Sequence, residues 1–297
     1  MIAFLNAMPG VIAQGLIWGI LAIGVYITFK VLDFADMTVD GSFALGGATT
    51  VMMILGGFDV SVALLAGVLA GMAAGYITGL LHTIFKIPAI LSGILTQLGL
   101  YSVNMRIMGK SNQAVSVDKY ALIVSIRFVS ESIVISLIFI AAVIILLYVF
   151  FGTEIGSAIR ATGCNQNMSR AQGINTGRCI RLVLVLGNGL VGLAGGLIAQ
   201  YQGNADVNSG RGAIVIGLAA VIIGEVVFGS RHNFAFKLAT SVFGAIIYYI
   251  VIQIVLTLGL KPDYLKLFSA IIVAIFMALP AIQGYWQNGK RILRRKN

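Results

Sequence analysis

From Ile133 to Phe151 the chain carries no charged residue, and Ser136 and Tyr148 are its only polar side chains. A soluble domain has no place for such a run, whereas it matches the roughly 20 residues with which a helix crosses the hydrocarbon of a bilayer. Lipid offers the backbone no hydrogen bonds, so a crossing segment must satisfy its own amides, and an unbroken apolar run does so as a helix. The rest of the chain is alike: of 297 residues 59% are hydrophobic and 10% charged, with a mean hydropathy of +0.99. The expected fold class is therefore all-α, a polytopic membrane protein solvated by lipid. The first apolar segment lacks a basic flank before it and is followed by further spans, so it reads as a retained helix.

Candidate spans run from Met8 to Phe29, Ser42 to Gly56, Val60 to Phe85, Ile87 to Met108, Ile133 to Phe151, Leu182 to Tyr201, Ala213 to Phe228, Phe236 to Leu258 and Leu265 to Ala281, about nine in all. The second and seventh are short and follow polar, turn-rich stretches, which marks them as discontinuous helices. Lys and Arg outnumber Asp and Glu by 20 to 10. The cations flank apolar spans, so they read as topology signals, and no nucleic-acid partner is expected. The tail with Lys290, Arg291, Arg294, Arg295 and Lys296 and the connection with Arg160, Arg170, Arg178 and Arg181 both belong in the cytoplasm. Parity then places the N-terminus outside and Lys30, Lys86, Arg231 and Lys237 inside. The stretch Gly109 to Ser132 falls outside, where Lys110, Lys119 and Arg127 run against the charge rule.

An internal similarity supports this topology. The stretch Ala35 to Ser42 reads against Ala205 to Gly212, and each precedes a short Gly/Ala-rich span. The first copy starts from the inside and the second from the outside, an inverted repeat of the kind transporters use. The chain then reads as a single permease domain, 1–297. Its repeat halves are about 1–151 and 177–285, joined by a cytoplasmic loop at 152–176 and followed by a basic tail at 286–297. Polar groups at membrane depth face water, partners or substrate, which makes Asp36, Thr38, Asp40, Ser42, Gln97, Asn104 and Asn208 candidate translocation-path residues. Helix capping competes as the role of Asp40 and Ser42. Interhelical hydrogen bonding competes for Gln97 and Asn104, as it does for Asn188, Glu225 and Gln253.

Other motifs reduce to packing. Gly67, Gly71, Gly75 and Gly79 strip one helix face of side chains, so that a neighbouring backbone can approach. Gly187, Gly189 and Gly192 spell a dinucleotide fingerprint, but inside an apolar span, without the strand that motif needs. Gly109, Lys110 and Ser111 resemble the end of a phosphate-binding loop whose first glycine is replaced by Asn104. His82 and His232 stand alone, and Cys164 and Cys179 read as reduced thiols. No cofactor, metal site or enzyme chemistry is expected of this chain.

The loop from Gly152 to Ile174 contains a run of Gly156, Ala158, Ile159, Arg160, Ala161, Thr162, Gly163 and Asn165. Small Ala158 and Ala161, with Ile159 exposed between glycine breaks, suit a short helix that seats in a partner's groove. This run resembles the coupling loop of ABC importer permeases of the branched-chain amino acid and ribose type. Leu32 to Gly46, with its Asp36, Thr38, Val39, Asp40, Gly41 and Ser42, and Gln97 to Gly109 resemble the permeases paired with tryptophan/tyrosine-type substrate-binding lipoproteins.

The resemblance implies a permease homodimer in a bacterial plasma membrane with its C-terminus in the cytoplasm. It implies two ATPase subunits, which carry the ATP and Mg, and an external binding lipoprotein. Glu154, Ser157, Ala158, Ile159, Arg160, Ala161, Gly163 and Asn165 would meet the ATPase. The implied cargo is a small polar solute, best an amino acid, aromatic where the tryptophan/tyrosine-type likeness holds; a branched-chain amino acid, nucleoside or sugar stays open. An ion-coupled secondary transporter would share the repeats and broken helices, but the coupling-like loop and the lack of a buried charge pair argue against it. A channel would need a charged ring or repeated filter.

Overall fold

The computed structural model describes residues 2–117, 119–229 and 233–257, with helical positions scattered from 267 to 278. Among these the chain forms α1 (Ile2–Val25), a π turn (Tyr26–Val31), α2 (Thr38–Leu55), α3 (Val60–Thr83), α4 (Ala89–Met108) and β1 (Asn112–Ala114). It continues through α5 (Val129–Gly152), α6 (Glu154–Cys164), α7 (Gln166–Ala171), α8 (Thr176–Gln202), β2 (Asn204–Asp206), α9 (Ala213–Phe228) and α10 (Phe234–Thr257). Eight expected spans coincide with α1, α2, α3, α4, α5, α8, α9 and α10. Among the described residues six helical segments are long and apolar enough to cross a membrane, α9 is shorter, and α4 lies outside the six. The ninth expected span, Leu265 to Ala281, and the basic tail fall mostly or wholly outside the described residues, so the count of nine remains an expectation. Several starts lie earlier than expected: α2 at Thr38, α5 at Val129 and α8 at Thr176. Polar residues in these first turns, among them Asp40, Ser130, Glu131 and Arg178, hide their helicity from a reading based on apolar runs.

The bundle is built around α8, which is buried along most of its length. On one side α3 runs antiparallel to it with the glycine stripe turned inward. A Cβ at Gly71 would strike the Asn188 carbonyl, one at Gly75 the Leu184 carbonyl, and one at Gly79 the Arg181 side chain. On another side α2 runs parallel to α8, with Ser42 beside Asn188 and Gly46 against the backbone of Gly192. α1 lies antiparallel, with Gly24 against Gly187 and the Tyr201 hydroxyl donating to the Gly10 carbonyl at 3.3 Å.

By the register that pairs Ser42 with Asn188, α2 starts about 12 Å along α8 from its first residue, at 1.5 Å per residue. Gly217 of α9 packs on Leu21 and Val25, and Glu225 meets Lys30 of the π turn at 2.7 Å. So α9 runs from the middle of α1 to its far end. Gly210, three residues before its start, faces the backbone of Asp40 and Ala44. Both short helices thus begin inside the bundle. α6 and α7 lie at the end where the π turn finishes. At the other end β1 and β2 form an antiparallel ribbon, pairing Asn112 with Asp206 and Ala114 with Asn204, a small addition to the all-α architecture.

The α3–α8 seam yields a contrast in one assay. Gly75→Val places a branched side chain on the Leu184 carbonyl, an overpacking that costs about 1–3 kcal/mol or more. It should lower the thermal midpoint of detergent-extracted permease sharply. Gly99→Ala, with nothing within 4 Å of the added carbon, should leave the midpoint unchanged or raise it slightly.

Candidate functional site

Six of the seven candidate path residues separate into two groups, and Asn208 joins neither. Asp36, Thr38 and Ser42 are sealed inside the bundle, exposed by no more than 2%. The chain reverses after the π turn, and Asp36 steadies the reversal: its Oδ1 accepts from the Thr38 amide at 2.9 Å. Asn188 of α8 donates to Asp36 Oδ2 at 2.6 Å and to the Leu184 carbonyl at 3.0 Å, while the Ser42 hydroxyl donates to Asn188 Oδ1 at 2.7 Å. Thr38 continues the chain at 2.6 Å to Thr78 of α3, whose hydroxyl lies 2.8 Å from that of Thr96 of α4. Four helices are joined by this one network, and each member satisfies another's lone pair or proton.

The second stretch of the internal similarity repeats part of this geometry. Asp206 Oδ1 accepts from the Asn208 amide at 2.6 Å, with the same two-residue separation as Asp36 and Thr38.

The other group meets at the start of α9. Asp40 Oδ2 accepts from the Gly212 amide and Oδ1 from the Ile214 amide, each at 2.9 Å. A helix beginning inside an apolar bundle has unpaired amides and a positive dipole end, and a carboxylate answers both. Asp40 therefore caps a helix, but α9 rather than its own.

Beside this junction lies a cavity of about 240 Å³, lined by Asp40, Gln97, Tyr101, Asn104 and Arg211 together with Gly41, Leu98 and Val207. Asn104 is 1% exposed; its Nδ2 donates to the Gly41 carbonyl at 3.5 Å, and its Oδ1 has no partner. The Arg211 guanidinium stands 6.0 Å from the centre of the Tyr101 ring. Asn208 is exposed and is not among the lining residues. The cavity thus offers a cation, an unused carbonyl oxygen, an amide and an aromatic face, a set suited to a small solute with both polar and flat apolar parts. Arg211 and Tyr101 escaped the sequence reading, as did Thr78 and Thr96. An arginine ahead of an apolar run reads as a topology signal, and single hydroxyls within spans carry no pattern.

The candidate partner-facing segment is the short helix α6. Thr153 caps it by accepting from the Gly156 amide at 3.3 Å, and Asn165 caps α7 in turn by accepting from the Met168 amide at 3.0 Å. One expectation is corrected: Ile159 is not exposed but fully buried, because helical periodicity puts it on the inner face with Gly156 and Thr162. The outward apolar residue is Ile155, 51% exposed. Glu154, Ser157, Arg160 and Asn165 are exposed, while Ala158, Ala161 and Gly163 are half-buried. Arg160 donates to the Phe151 carbonyl at 3.0 Å. At Gly163 a Cβ would collide with the Val31 carbonyl, so the glycine lets α6 lie directly on the π turn.

The Asp40 cap is tested by substitution. Asp40→Ala strands two amides at the start of α9, at about 1–3 kcal/mol for each buried unpaired group, and should lower the thermal midpoint clearly. Asp40→Asn keeps an acceptor and should recover part of the loss.

Comparison with known proteins agrees with this architecture. Residues 8–279 match the family described as branched-chain amino acid transport system / permease component. A tyrosine transport system permease protein of Clostridioides difficile is 39% identical over 274 residues, spanning 92% of this chain and 91% of that protein. The fructose import permease protein FruF of Bifidobacterium longum is 26% identical over 265 residues, spanning 86% of this chain and 73% of that protein. Among solved structures, PsaBC from Streptococcus pneumoniae in complex with Fab matches with a TM-score of 0.54 at 15% identity, covering 93% of this chain and 95% of that one, a likeness of fold. The chain is a member of the branched-chain amino acid transport system permease family, the membrane-spanning subunit of an ABC importer.

Proposed function

We propose that this permease imports an amino acid, best an aromatic one, handed over by an external binding protein and driven by a separate ATPase. The observation that carries the reading is the cavity beside the Asp40 junction. Arg211 suits the α-carboxylate of an amino acid, and the unpartnered Asn104 Oδ1, with Asp40 nearby, suits its ammonium group. Tyr101 offers a face for a ring. The name of the Clostridioides difficile relative, a tyrosine transport permease, supports the same substrate class. One chain presents one α6, so we take the working unit to hold two copies of the permease, each meeting one of two ATPase subunits. ATP and Mg belong to those subunits. The system belongs in the bacterial cell membrane, with α6 and the C-terminus on the cytoplasmic side.

Substrate and coupling are tested separately. In proteoliposomes with ATPase and binding protein, Arg211→Gln and Asn104→Ala should each raise the half-saturating tyrosine concentration for ATP-driven uptake about tenfold, the worth of one hydrogen bond to a charged group. Uptake unchanged in both variants would remove the cavity from the path. Uptake should survive collapse of ion gradients. Ile155→Glu leaves the bundle interior untouched and should abolish substrate-stimulated ATP hydrolysis. Wild-type stimulation in that variant would overturn the assignment of α6.

A further inference from the structure

We propose that a second, larger cavity binds a phosphate-bearing anion, which in the membrane is the headgroup of an anionic phospholipid. This cavity, of about 540 Å³, lies between the α3–α4 turn and the start of α8, away from Asp40 and its pocket. Lys86, Arg170 and Arg181 line it, and no Asp or Glu does. Arg181 donates to the Thr83 hydroxyl at 3.2 Å, and the Arg170 Nε donates to the Thr176 hydroxyl at 3.0 Å. These neutral acceptors hold the guanidinium groups in place without cancelling their charge, and none of the three cations pairs with a carboxylate among the described residues. Lys86 has a φ of +58°, a conformation that non-glycine residues rarely adopt; there the chain turns from α3 towards α4 beside the cavity.

The depth of the cavity points to lipid. Ile84 and Phe85, 57% and 68% exposed, directly precede Lys86 at the end of the spanning helix α3. Large apolar side chains at that boundary sit among acyl chains, which puts the neighbouring cations at headgroup level. A basic pocket between helices at that level matches a lipid phosphate in charge and hydrogen-bonding geometry.

The test is a titration of purified full-length permease in neutral detergent, read as thermal midpoint, with phosphatidylglycerol, phosphatidylcholine or inorganic phosphate. Phosphatidylglycerol should raise the midpoint and phosphatidylcholine should not. The double variant Lys86→Asn with Arg170→Gln, chosen because Asn tolerates the left-handed backbone and both positions are exposed, should need at least about tenfold more phosphatidylglycerol. Lys110→Gln with Lys119→Gln should respond like the wild type. If inorganic phosphate reproduces the rise, the cavity takes the free anion as well as the headgroup; if only the lipid acts, the headgroup is the ligand. An equal response to phosphatidylcholine, or an unchanged titration in the double variant, overturns the proposal. Loss of ATPase binding by that variant with its lipid titration intact likewise overturns it and makes the cavity a contact for the ATPase.

Discussion

Helices in lipid gain nothing from hiding apolar surface from one another, since the acyl chains are as apolar as leucine. Association then rests on close packing and on hydrogen bonds between helices. Here it rests on backbone meeting backbone where α3 and α2 lie against α8, with Gly71 and Gly75 on the carbonyls of Asn188 and Leu184 and Gly46 on Gly192. That closeness brings Asn188 within reach of both Asp36 and Ser42, and so fixes the depth at which α2 begins. The polar network and the seam are one device: the glycines set the distance and the hydrogen bonds set the register.

Starting two helices inside an apolar bundle exposes amides that lipid cannot satisfy. The chain answers each case locally and then from one helix to the other. Asp36 and Asp206 each turn the backbone onto an amide two residues ahead, and Asp40 reaches across to the amides of α9. Because that carboxylate belongs to α2 and caps α9, the cavity with Arg211 and Asn104 is built where these two helices start. A displacement of either helix alters its shape.

Much of this was legible from residue order alone. Uncharged runs announced the spans, the glycine spacing announced the seam, and the run of small residues after Gly152 announced a short helix, which forms at Glu154–Cys164. Capping was foreseen for Asp40, but the partner lies 172 residues away, and separation of that size leaves no local trace. The candidate path residues divided into a sealed network, a cavity and the exposed Asn208 because polarity within a span does not say which way a side chain faces. Ile159 was misplaced for a related reason: its neighbours along the chain are small, but the inner face of α6 is decided by what lies beneath it. Arg211 was hidden by its type, since arginines at span edges usually report topology.

The contact between Gly163 and the Val31 carbonyl has a mechanical meaning. Side chains between packed elements act as cushions, changing rotamer to absorb a small shift. Here none intervenes, so a push on α6 enters the main chain of the π turn directly. From that turn the main chain continues up α1, whereas the link to α9 passes through the half-exposed Lys30–Glu225 side-chain pair, which can yield. The short helix at the edge of the bundle is thus tied to α1 by main chain alone, with little slack between them.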